Sequence, residues 1–144
     1  MEIRNPRLIP VFRVRDKLAD LGDLPPNINH AVTVNHMRLL PEVQKFEELR
    51  KDEIRAHAIV EEDGSFAMDE TGNPQFETLE ARQATEEGIE GLLDSSIHIQ
   101  LEQMDLSDLL QHEKVTSRDV MTLQGSPDDA SLVKDNSREE DEAQ

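Results

Sequence analysis

One pattern constrains this chain more than any other. Leu39, Leu40, Val43, Phe46, Leu49 and Ile54 recur mostly at steps of three and four, the period that lays an apolar stripe along one side of an α-helix. Ala31 and Val32 carry the apolar positions back towards Ile28, and Asn27 can cap the start. The spacing therefore predicts one long helix from Ile28 to about Ala58. Pro41 falls inside it. Proline lacks the amide donor and crowds the carbonyl one turn back. Because Leu39, Val43 and Phe46 keep their phase across it, a kink is expected rather than a fresh start. Leu39, Val43, Phe46 and Leu49 are the expected core stripe, and Glu47 and Glu48 lie at helical spacing from Lys51.

The flanking elements are shorter. Leu8–Val14 reads LIPVFRV, rich in β-branched and aromatic residues, and is expected as an edge strand with Pro10 restricting it. A short helix then runs to Gly22 as a stop. Two turn signals, Glu62-Asp63-Gly64-Ser65 and Asp69 to Pro74, predict a small hairpin or ordered loop anchored by Phe66 and Phe76. Thr78 should open a second helix with Glu80 in its first turn, and Gly88 and Gly91 either weaken it or let it pack closely on the long one. Ser96–Met104 alternates Ile97, Ile99 and Leu101 with His98, Gln100 and Glu102, the period of a half-buried strand. Its natural partner is LIPVFRV. The chain shows no internal repeat. The expected fold is α+β and helix-dominated, a long kinked helix packed on a shorter one with a small antiparallel edge sheet. Residues 1–123 form a single small domain in this reading, and 124–144, made largely of Ser, Asp, Glu and Pro, a disordered acidic tail.

Charge narrows the function. Residues 1–60 hold ten Lys/Arg against nine Asp/Glu, residues 61–123 three against sixteen, and residues 124–144 two against seven, for a net −17. Such an asymmetry points to partner binding. The overall sign opposes nucleic acid and anionic membranes, and the first 17 residues, net +3, read as a solvated basic face. No apolar run approaches the roughly 18 residues that span a bilayer, and the N-terminus lacks the apolar stretch of a signal peptide. There is no cysteine, so no disulfide, thiolate nucleophile or Cys-based metal site.

No catalytic, cofactor or metal motif emerges. The five histidines never take the H-E-x-x-H spacing, the six glycines never form a phosphate loop, and no serine sits in G-x-S-x-G. Starting at Asp63, a calcium loop fails at once, since Gly64 and Phe66 fall in the wrong places. The acidic middle is sharper. Glu80, Glu86, Glu87, Glu90 and Asp94 lie on or beside one helix and are the candidate partner-binding face. Carboxylates along a rod can imitate a phosphate backbone; a solvated helix face is the alternative.

The order of features resembles a family of small, uncharacterised bacteriophage proteins. The likeness rests on LLPEVQKFEELRKDEI, on Asp69-Glu-Thr-Gly-Asn-Pro74, on a short helix ending Leu92-Leu93-Asp94, and on an alternating strand followed by MDLSDLL. It covers roughly residues 8–110. It implies a phage origin, no known enzymatic role, and residence in the host cytoplasm or the virion. The expectation is therefore a non-enzymatic protein that binds a phage or host protein, as an assembly factor or minor structural component. The alternative is an acidic phosphate-mimic inhibitor of a host nucleic-acid-binding or defence protein. No cofactor, direct nucleic-acid contact or membrane is expected, and a second copy of the chain is a further candidate partner.

Overall fold

The computed structural model describes residues 1–135. Five helices dominate: α1 (Asn5–Leu21), α2 (Pro26–His57), α3 (Leu79–Leu93), α4 (Leu106–Leu110) and α5 (Ser117–Gln124). The strands are short: β1 (Glu2–Arg4), β2 (Ser96–His98), β3 (Met104–Asp105) and β4 (Val133–Lys134). The fold is α+β, with a long helix packed on shorter ones and a small two-stranded antiparallel sheet. The chain forms two compact units, Met1–Val43 with Ser96 onward, and Gln44–Ser95.

In the first unit the expected edge strand is corrected. LIPVFRV lies within α1. Leu8, Val11, Val14 and Leu18 are buried at steps of three and four, so the stripe favours helix over the β propensity of the individual residues. Proline stands at the start of α1, where the amide is unsatisfied anyway, and Pro10 is accommodated inside it. Gly22 ends the helix at φ +77°, a left-handed cap. The antiparallel partner of β2 is β1, with Ile3 opposite Ile97. Beyond His98, Ile99 still exchanges bonds of 2.9 Å with Met1, and from Gln100 on side chains of α2 satisfy the backbone instead. Arg38 donates to the Gln100 carbonyl at 2.6 Å. Asn35, 1% exposed, donates to the Glu102 carbonyl at 3.0 Å and accepts from its amide at 2.7 Å.

The expected tail is corrected for residues 124–135; the remainder, 136–144, lies outside the described residues. Leu132 and Val133 are buried, the Leu132 amide donates to the Leu123 carbonyl at 2.9 Å, and β4 pairs in parallel with β3. Arg7, itself buried, donates to the carbonyls of Ala130 at 2.7 Å and Leu123 at 3.2 Å, a cation at the carbonyl end of α5. Arg4 grips Asp129 through two bonds of 2.9 and 3.1 Å. That contact, with the Ser126 amide and hydroxyl, holds the Asp129 carboxyl well below the usual carboxylate range. Composition missed this segment because its apolar content is confined to Ala130, Leu132 and Val133.

α2 runs unbroken through Pro41. Ile28, Ala31, Val32, Leu39 and Phe46 are buried along it, but Leu49 is 41% exposed, which removes it from the expected core stripe. Glu47 pairs with Arg50 at 3.8 Å.

Candidate functional site

The second unit is built from the end of α2, a β excursion over residues 58–76, and α3. The excursion is a closed ring. The Ile59 amide donates to the Gln75 carbonyl at 2.9 Å, the Gln75 amide to Ala67 at 2.8 Å, and the Ala67 amide back to Ile59 at 2.9 Å. Three antiparallel bridges follow the same cycle: Ala58 with Phe76, Val60 with Phe66, Met68 with Pro74. All are related by steps of eight residues. In sequence, Glu61-Glu-Asp-Gly-Ser-Phe-Ala-Met68 and Asp69-Glu-Thr-Gly-Asn-Pro-Gln-Phe76 match at that step only at Glu62/Glu70 and Gly64/Gly72. Gly64 and Gly72 occupy equivalent turns at φ +87° and +82°. Each turn is tied by an aspartate: Asp63 accepts from the Ser65 amide at 3.0 Å, and Asp69 from the Thr71 and Asn73 amides at 2.9 Å each. The neighbouring Ser65 and Thr71 hydroxyls, and then these amides, hold both carboxyls below their ordinary value.

α3 starts where expected, with the Thr78 hydroxyl accepting from the Ala81 amide at 3.1 Å. Gly88 lies beside the flexible carboxylate end of Glu53 of α2. Of the five candidate residues, all are exposed, but they do not share one face. Glu80, Glu87 and Asp94 are spaced by seven and follow one line, with Glu90 beside it. Glu86 turns away, pairs with Arg82 at 3.2 Å and lines a groove. The stripe of four charges covers about 21 Å at about 1.5 Å per residue. A single DNA strand presents about one phosphate per 3.4 Å, about six over that length. The charge density of α3 is therefore below that of a phosphate backbone.

The groove has a volume of about 720 Å³. Ile54, Ile59, Phe76 and Ile89 supply its apolar lining, with Arg50 and Arg82 among its charged members. Leu79 also lines it and is 65% exposed. Thr85 is 3% exposed, and its hydroxyl has no hydrogen-bond partner among the described residues. Sequence reasoning placed Phe76 as an anchor but missed the groove; the eight-residue spacing of the Gly64 and Gly72 turns was the one signal of the ring that forms part of its lining.

Among the described residues no group of three or more His, Cys, Asp or Glu is placed to hold a metal ion, and no helix is long and apolar enough to cross a membrane. Comparison with protein-family models, curated proteins and solved structures returns no match.

Proposed function

We propose that this chain is a non-enzymatic, phage-encoded protein-binding protein that acts as an assembly factor or minor structural component. The observation that carries the reading is the second unit's unfinished burial. Across residues 44–95 only Phe46, Ala67 and Thr85 are buried, while Leu49, Val60, Met68, Leu79 and Leu93 are between 39% and 65% exposed. A small unit that buries so little and leaves these large apolar side chains exposed has apolar surface that another protein can cover. The phosphate-mimic alternative asks affinity to rest on the α3 carboxylates, whose density is the weaker match.

The test is capture of partners from phage-infected cells by the full chain, followed by dissociation kinetics of the isolated complex. The expected complex persists when salt is raised, because apolar contacts set its lifetime, and is lost on Leu79→Asp with Leu93→Asp. A complex that dissolves in salt, is displaced by DNA or RNA, and is abolished by charge reversal at Glu86, Glu87 and Glu90 would establish the inhibitor reading instead.

A further inference from the structure

We infer that the groove of the second unit is a docking site for a basic, apolar-bearing segment of the partner protein, a large aliphatic or aromatic side chain flanked by Lys or Arg. This rests on the protein-binding reading and names its site and partner chemistry. Two independent observations point the same way. The first is shape and lining: Ile54, Ile59, Phe76 and Ile89 offer an apolar seat of the size that accepts one or two large side chains, roughly the 300–1,000 Å³ of ligand pockets generally. Thr85, whose buried hydroxyl has no partner among the described residues, lines the groove as well.

The second is charge. Residues 44–95 carry fifteen Asp/Glu against five Lys/Arg, net −10, a field that attracts cations and speeds their encounter. At the groove itself the two arginines are already engaged, Arg50 by Glu47 at 3.8 Å and Arg82 by Glu86 at 3.2 Å, while Asp69 is occupied by its own turn. Glu77 also lines the groove and is exposed, placed to meet a partner's cation. An anionic segment would have to work against the whole unit; a basic one works with it.

The experiment uses displayed random 12-residue peptides panned against the full chain at physiological salt, with a Lys/Gly peptide lacking apolar residues as the pure-charge control. Enriched peptides should combine Leu, Ile, Met or Phe with two or more Lys/Arg and bind above the control. Leu79→Glu, at an exposed position that leaves the fold alone, should weaken them about tenfold or more, because burying a leucine-sized group is worth at least one decade of affinity. It does so although it adds the attractive charge. Ile89→Glu should act in the same direction, and Arg82→Gln should tighten binding. Rising salt should slow association and leave dissociation nearly unchanged. No enrichment, enriched peptides without basic residues, or tighter binding to Leu79→Glu would overturn the inference. If a captured protein partner still binds the Leu79→Glu chain at full strength, the groove assignment falls while the protein-binding reading stands.

Discussion

Leu132→Ala is the most searching test of how the C-terminal part of the described chain is held. Leu132 is 1% exposed, its amide donates to Leu123 and its carbonyl accepts from Met104 at 2.7 Å, so the side chain is clasped between α5 and β3. Truncating a fully buried leucine removes its transfer free energy and leaves a cavity, together about 2–5 kcal/mol. The backbone ties fix its position and limit collapse around the cavity, which places the expected loss at about 3 kcal/mol within that range. With no Trp or Tyr in the chain, the assay is urea unfolding followed by far-ultraviolet circular dichroism. At about 1–3 kcal/mol per molar urea, the midpoint should fall by about 1 M or more. Met121→Ala, at a position 68% exposed in α5, is the control and should stay within about 0.5 kcal/mol. A Leu132→Ala midpoint indistinguishable from that control would refute the packing of residues 124–135 within the first unit.

Phe46→Ala should cost about 3–5 kcal/mol because Phe46 is the one large apolar side chain buried in the second unit, whereas Leu49→Ala should be nearly silent; urea midpoints of the two variants check the pair. Asp129 has a folded pKa below its unfolded value, so its contribution is present above the ordinary carboxylate pKa of about 4 and is lost as pH falls through the folded value. Asp119 behaves alike: burial works to raise it, but Lys17 at 2.6 Å and the Thr116 amide and hydroxyl outweigh burial. Asp129→Asn should therefore flatten the loss of stability between pH 7 and acid in a pH series of unfolding midpoints. Gly64→Ala and Gly72→Ala, at positive φ with open space around each, should each cost about 1–2 kcal/mol from backbone strain alone, measured by thermal unfolding.

What the sequence revealed followed the strength of each periodic signal. α2 was legible from Leu39, Val43 and Phe46, and α3 from Thr78 and its apolar steps, because caps and a 3.6-residue period are local properties. LIPVFRV was misread because Leu8, Val11, Val14 and Leu18 carry a helical stripe that Pro10 and the β-branched residues disguise, and burial in the folded unit decided between the two. The 96–104 run was read too long because its backbone partners, Asn35 and Arg38, lie more than sixty residues away. Residues 124–135 were lost to composition, since two buried side chains and the Arg7 and Asp129 contacts decide their fate and none of these is a local pattern. At the site, the acidic residues were visible as a list, yet the division that turns Glu86 towards the groove and leaves Glu80, Glu87 and Asp94 outside needs the helix phase.

The ring closed by Ala58 and Phe76 makes residues 59–75 a cassette. A bridged pair of this kind stands about 4.5–5.5 Å apart at the Cα atoms, a gap that a two-residue turn can span. The excursion therefore leaves and re-enters the helical framework at a single point. Its closely spaced ends make it a place where another module can be grafted. The helices would keep Ile54 and Ile89, while a grafted insert would set the facing side of the groove.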